Sequence, residues 1–147
     1  LDFCNVRSFN LYGEGQKSNM LIPYVIKSML NREEVNVTLG KQTRENNYVG
    51  DIVRGLVELS KLDDKETKLV NLGCGDEIKV KDLILIIDNI INNGTKINFG
   101  ALEYRKDEVW RMYSNPSLAR KVINWSPKYS LKEGLKRTIK WYTKDVQ

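Results

Sequence analysis

Leu69-Val-Asn-Leu-Gly-Cys-Gly-Asp-Glu-Ile-Lys-Val80 and the apolar run after it decide the fold. Lys68 to Leu72 reads as a strand, and Gly73-Cys74-Gly75 ends it. Asp76 to Val80 reads as a turn and a short extended stretch. A helix from about Val80 to Asn92 follows and buries Leu83, Ile84, Ile86, Ile87 and Ile90. Asn92-Asn93-Gly94 closes it with residues that tolerate left-handed backbone. Strand, glycine turn and helix in succession make one unit of an α/β fold, and the alternation continues outward on both sides.

Upstream, residues 2–9 read as a strand, followed by the polar loop Tyr12-Gly-Glu-Gly-Gln-Lys-Ser-Asn19. Leu21, Ile22, Val25, Ile26, Met29 and Leu30 recur at helical spacing, predicting a helix from about Asn19 to Asn31. Val35 and Val37 alternate with Asn36 and Thr38 in a short strand that Gly40 ends. A second short strand near Tyr48-Val49 leads into a helix from Asp51 to about Lys61, with Asp51 as N-cap and Ile52, Leu56, Val57 and Leu59 on the buried face. Asp63-Asp-Lys-Glu66 is a charged loop. Downstream, Ile97-Asn-Phe99 is a strand and Gly100 to Tyr113 a loop. Asn115-Pro116 starts a helix with Asn as N-cap and Pro at the first helical position. Ser130-Leu-Lys-Glu133 is a capping box that opens the last helix, whose inner face is Leu131, Leu135, Ile139 and Tyr142.

A chain of 147 residues allows one domain with a real core. At 41% apolar and 29% charged, its composition is that of a soluble globular protein. The net charge of +5 comes from lysines scattered along helices, such as Lys132, Lys136 and Lys140. That is a solvated face, and it does not suggest nucleic acid as a partner. Two cysteines, Cys4 and Cys74, are too few for a disulfide framework and read as free thiols in a reducing cytoplasm. The chain has no histidine, so His-based acid–base catalysis, a Ser–His nucleophile and His-containing metal sites are excluded, and no metal site is expected. No stretch approaches the ~20 apolar residues of a membrane span, and no signal-peptide pattern is present. The chain opens without Met on Leu-Asp-Phe-Cys-Asn-Val-Arg-Ser-Phe9, as a strand pattern with no leading turn. The expectation is a piece of a larger sheet.

Three motifs could carry chemistry. Gly13-x-Gly15 lacks the third glycine of a dinucleotide loop, since Ser18 stands there, and reads as a turn. Gly73-x-Gly75 after a strand resembles the cofactor loop of a methyltransferase, but an extended stretch follows where that loop needs a helix at once. Hydride-transferring short-chain dehydrogenases place Lys four residues after Tyr on one helix face. The seven tyrosines here are followed at that spacing by Gln16, Ser28, Ile52, Glu108, Ser117, Glu133 and Val146, so no catalytic pair lies in this chain. What remains is Asn10 after the first strand, Arg44 before the Tyr48 strand, and Arg105 with Glu108 in the late loop. Two guanidinium forks and an amide could hold a diphosphate, and a carboxylate could accept hydrogen bonds from a ribose. Read singly, each of these residues is sooner a surface group or a local cap than a ligand contact.

Arg7-Ser-Phe-Asn-Leu-Tyr-Gly13, Thr43-Arg-Glu-Asn-Asn-Tyr-Val-Gly-Asp51, Val70-Asn-Leu-Gly73 and Trp125-Ser-Pro-Lys-Tyr-Ser-Leu-Lys-Glu-Gly134 resemble, in order and spacing, motifs of the extended short-chain dehydrogenases that act on nucleotide sugars. The resemblance covers nearly the whole chain. It implies the carboxyl-terminal strands of a Rossmann-type sheet plus a small α/β substrate-binding domain over residues 1–147. The missing amino-terminal half would hold NAD or NADP, the Tyr/Lys pair and the helices of a homodimer. By residue match, Asn10, Arg44 and Arg105 would contact the diphosphate and Glu108 would face the ribose. Val35, Val37, Leu21 and Ile22 would line the base pocket, and Ser8 and Phe9 would lie near the nicotinamide. Asn46, Gly50 and Trp110 depart from the family pattern, at positions usually aromatic, acidic and Arg. Phe99-Gly-Ala-Leu-Glu-Tyr-Arg105 looks closest to deoxysugar 4-reductases of the abequose and paratose type. The implied activity is that of a nucleoside-diphosphate-sugar epimerase, dehydratase or 4-reductase, with this chain inactive alone. A methyltransferase fragment and a non-catalytic binding module are the alternatives.

Overall fold

A computed structural model describes residues 3–62 and 69–145. The chain begins with β1 (Asn5–Ser8) and β2 (Leu11–Tyr12), followed by α1 (Leu21–Leu30). Ile22, Val25, Ile26 and Met29 recur every three or four residues, so one face of α1 is buried. β3 (Val35–Val37), β4 (Thr43–Glu45) and β5 (Asn47–Tyr48) lead into α2 (Val49–Ser60). Then come β6 (Leu69–Leu72), β7 (Glu77–Lys79) and α3 (Val80–Ile91). β8 (Ile97–Phe99), β9 (Arg111–Met112), α4 (Ser117–Ile123) and α5 (Leu131–Asp145) follow. The class is α/β, as the alternation predicts.

β1 pairs in parallel with β6, with Asn5 opposite Leu69 and Ser8 opposite Leu72. β2 pairs in parallel with β5, and β3 with β8. β4 lies between β7, to which it is antiparallel, and β9, to which it is parallel. The larger apolar cluster joins α1, β3, α3 and α5 through residues such as Ile26, Met29, Val35, Ile84, Ile87 and Leu135. The smaller one joins α2, β6 and α4 through Ile52, Val70, Leu72, Ala119 and Trp125. Fully burying one such aliphatic side chain contributes about 1.5–3 kcal/mol.

The caps were readable where they are local. Glu133 Oε2 accepts from Ser130 N (2.9 Å) while Ser130 Oγ accepts from Glu133 N (3.3 Å), which is the capping box. Asn92 ends α3 in the left-handed region at φ 46°. Asn115 Oδ1 caps Ser117 N at 3.0 Å, although α4 starts at Ser117, one residue later than expected.

Elsewhere the structure corrects the reading. β1 covers only Asn5–Ser8, with Leu1, Asp2 and Lys68 outside the described residues, as is the loop Asp63–Glu66. β2 and β9 fall where loops were expected. Asp51 is no N-cap. It lies inside the first turn of α2, is 3% exposed, and accepts from Lys128 N (2.8 Å), Tyr129 N (3.1 Å) and Arg54 Nη2 (3.0 Å). α2 buries Ile52, Gly55 and Leu59, whereas Leu56 and Val57, expected inside, are 43% and 46% exposed. With Val53, also exposed, they form a second apolar stripe at i, i+3, i+4 spacing on the outer side of the helix.

A buried carboxylate ties the strand ends together. Glu45 is fully buried and accepts from Ser114 N, from Ser114 Oγ (3.0 Å) and from Asn47 Nδ2 (3.0 Å). Asn47 also donates to Phe9 O (3.0 Å) and accepts from Cys74 N (2.9 Å). Gly73 is required beside it: a Cβ there would stand 2.0 Å from Glu45 Oε1.

Candidate functional site

A cleft of about 530 Å³ opens between the strand ends and the loop that joins β8 to β9. Asn10 and Leu11 form one wall, and Leu21 and Ile22, at the start of α1, form the apolar wall beside it. Val37 on β3 and Gln42 and Arg44 at β4 face them, and Arg105 and Glu108 come from the β8–β9 loop. Asn10, Leu21, Ile22, Val37, Arg44, Arg105 and Glu108, scattered through the sequence, are therefore brought to one cavity. Val35 is not among its lining residues. It sits two pairs deeper along β3, opposite Ile97, and is wholly buried in the main apolar cluster. Ser8 and Phe9 also lie off the cleft lining, Ser8 exposed at the carboxyl end of β1 and Phe9 half-buried.

Arg44 is fixed by two partners. Its Nη2 donates to Glu108 Oε1 at 2.5 Å and its Nη1 to Thr43 O at 2.7 Å. The two charged side chains are only 17% and 13% exposed. A pair so poorly solvated depends on both members, because either alone would be a buried uncompensated charge. β4 is itself held by Glu77 on β7, which accepts from Thr43 Oγ1 (2.5 Å) and from Arg111 Nε on β9 (3.0 Å). Those bonds, Arg111's first, hold the Glu77 carboxyl below its usual range. The β8–β9 loop is anchored by Tyr104, whose ring meets Trp110 at 4.9 Å and whose hydroxyl accepts from Lys41 N at 2.9 Å. Arg105 is exposed at the rim, with no ion-pair partner among the described residues.

Gln16, Asn19, Tyr24, Asn36 and Gln42 also line the cleft and were not singled out from the sequence, and Asn46, noted there only as a departure from the family pattern, lines it too. For Gln42 and Asn46 a signal existed: each is two residues from Arg44, so on an extended strand they share its face. No periodicity marks Gln16, which the fold delivers from the loop after β2.

A second cavity, of about 390 Å³, is walled by Tyr12, Tyr48, Trp125, Tyr129, Asp51 and Cys74. Its polar groups are engaged internally: Tyr12 OH donates to Leu131 O (3.2 Å), Tyr48 OH to Glu14 Oε1 (2.8 Å) and Trp125 Nε1 to Asp51 O (3.1 Å). Burial pushes the Cys74 thiol up to about 11, so it is protonated at neutral pH and a poor nucleophile. Gly73-Cys74-Gly75 leads into β7, and the space above Gly73 is filled by Glu45 and Ser114. The methyltransferase alternative therefore lacks its cradle. Among the described residues, no group of three or more Cys, Asp or Glu side chains could hold a metal ion. No helix among them is long and apolar enough to cross a membrane.

Comparisons with known proteins agree with this architecture. The family model of GDP-mannose 4,6 dehydratase matches residues 1–138. A CDP-abequose synthase of Salmonella muenchen is 33% identical over 93% of this chain and 47% of its own length. A UDP-glucuronate 4-epimerase of Thermodesulfobacterium geofontis is 31% identical over 100% of this chain and 45% of its own. Among solved structures, UDP-glucose 4-epimerase of Thermotoga maritima with UDP-glucose superposes with a TM-score of 0.89 at 27% identity, over 97% of this chain and 46% of that one. UDP-glucuronic acid 4-epimerase of Bacillus cereus, in complex with UDP-glucuronic acid and NAD, gives 0.88 at 25% identity, covering 96% and 45%. The chain thus spans a little under half the length of the relatives it matches. It belongs to the GDP-mannose 4,6 dehydratase family, among the extended short-chain dehydrogenases whose four motifs it carries.

Proposed function

We propose that this chain is the nucleotide-sugar-binding part of an NAD(P)-dependent epimerase, dehydratase or 4-reductase acting on a nucleoside-diphosphate sugar. What supports it most is the single cleft that gathers Asn10, Arg44 and Arg105 beside the apolar Leu21, Ile22 and Val37. Guanidinium groups match phosphate oxygens, and an apolar wall suits a base. Glu108, next to Arg44, is the group to accept from a ribose. The CDP-abequose synthase and the 4-epimerases among the relatives favour the same substrate class. The chemistry belongs to a longer protein, joined to an amino-terminal half and acting as a homodimer. The exposed stripe of Val53, Leu56 and Val57 on α2 is the apolar face that such a half would cover.

NAD or NADP, bound in that longer protein, supplies the hydride chemistry. The residues of this chain fit its border only. Ser8 and Phe9 stand at the carboxyl end of parallel strands, where α/β sheets take ligands, but neither Gly13-x-Gly15 nor Gly73-x-Gly75 opens a helix that could bind a pyrophosphate. The chain's own work is to bind the diphosphate, orient the sugar and hold it against the cofactor.

Calorimetric titration of this chain and of the intact protein with UDP and CDP at low salt tests the reading. Binding that strengthens in the intact protein and is lost with Arg44→Ala is the expected outcome. The loss should be about 10-fold to 100-fold, the worth of hydrogen bonds to a charged group. No binding by the intact protein would refute the nucleotide-sugar assignment.

A further inference from the structure

Most polar groups of the cleft have protein partners. Arg44 and Glu108 hold each other, Asn36 Oδ1 accepts from Asn98 Nδ2 (2.9 Å), and Asn46 Nδ2 donates to Arg44 O (3.2 Å). Two amide oxygens are exceptions: Oε1 of Gln16 and Oε1 of Gln42 are buried and unpaired. Gln42, 9% exposed, shares the face of Arg44 two residues on. Gln16 is the better defined of the two. Its Nε2 donates to Leu11 O at 2.7 Å, which fixes the amide orientation, since the flipped form would set two oxygens against each other. Its main-chain oxygen is clamped by Tyr142 OH at 2.5 Å. The result is a rigid, unpaired acceptor on a residue that lines the cleft, and a buried acceptor without a donor is unfavourable unless a ligand supplies one.

We propose that Gln16 is a specificity-determining residue that accepts a hydrogen bond from a hydroxyl of the glycosyl group. This rests on the nucleotide-sugar reading. Gln16 is tied to Leu11, which follows Phe9 by two residues and Ser8 by three, the two that the nucleotide-sugar reading sets near the nicotinamide. Gln42, beside Arg44, stands at the diphosphate. A hydroxyl is the donor a hexose carries in abundance, and an acceptor fixed in a buried cleft discriminates strongly against an analogue that lacks it.

The test is titration of the intact protein, wild type and Gln16→Met, with UDP-glucose and CDP-glucose and with UDP and CDP. The expected result is a loss of about ten-fold for the nucleotide sugar and less than about two-fold for the bare nucleotide, which also reports an intact cleft. A second measurement removes the donor instead of the acceptor. One monodeoxyglucose analogue of the nucleotide sugar should bind wild type about ten-fold more weakly and be insensitive to Gln16→Met. Equal affinity of both proteins for the nucleotide sugar, or equal weakening toward nucleotide and nucleotide sugar, would overturn the assignment and leave the nucleotide-sugar reading standing. A wild-type protein that binds none of the four compounds would overturn both.

Discussion

Replacing Glu45 by Ala should be among the most damaging single changes in this chain. The carboxylate is fully buried and receives the amide and hydroxyl of Ser114 and the side-chain amide of Asn47. Hydrogen bonds to a charged group contribute about 1.5–3 kcal/mol each, and removing the acceptor leaves both Ser114 donors unpaired. Asn47 keeps Phe9 O as a partner, which softens the loss on that side. Desolvating the carboxylate is itself costly, so its removal returns part of the difference. The net expectation is about 3–5 kcal/mol, the range seen when one member of a buried charged cluster is deleted. With a urea m-value of about 2 kcal/mol/M, the midpoint should fall by roughly 2 M. Trp125, 1% exposed in the neighbouring cluster, provides the fluorescence signal. Glu45→Gln, which keeps the shape but turns one oxygen into a donor facing donors, should lose about half as much. A midpoint for Glu45→Ala within about 0.5 M of wild type would refute the claim that this network holds the strand ends.

Ile84→Ala, at a wholly buried position on α3, should destabilise by about 2–5 kcal/mol in the same urea assay. Val53→Lys and Leu56→Lys on the outer stripe of α2 should shift stability of this chain by no more than about 0.5 kcal/mol while reducing its self-association in light scattering. The Cys74 thiol, pushed up to about 11 by burial, should react with iodoacetamide far more slowly at pH 8 than a free thiol does. Its sign also follows: the unfolded thiol ionises first, so this group's contribution to stability is intact below about pH 9 and is lost as pH rises toward 11.

Features set by near neighbours were legible. The spacing of apolar residues marked α1, α3 and α5, and the Ser130/Glu133 box and Asn92 marked helix ends, because each is decided within a few residues. β2 and β9 were not, since a two-residue strand exists only by virtue of a distant partner. α2 misled because it carries two apolar stripes, and composition cannot say which one this chain buries. Glu45 has no distinguishing signal in sequence and Asp51 reads as an N-cap, yet both are buried by donors far along the chain: Ser114 in one case, Lys128 and Tyr129 in the other. At the candidate site, Arg44, Arg105 and Glu108 came from residue type and motif match. Gln16 went unnoticed because an amide in a polar loop has no distinguishing pattern.

The strand pairings have a kinetic consequence. Asn5 meets Leu69, Leu11 meets Asn47, Val35 meets Ile97, and Thr43 meets Arg111, and among the described residues no hairpin joins sequential strands. Every pairing closes a long loop, and the entropy of closure must be met before any contact is gained. Helices such as α3 can form early, but no sheet can nucleate locally. Refolding should therefore occur on the slow side, milliseconds to seconds, in stopped-flow fluorescence. Cutting the chain between Glu45 and Asn47 would separate the partners of all five described strand pairs at once, so neither product would retain a complete sheet.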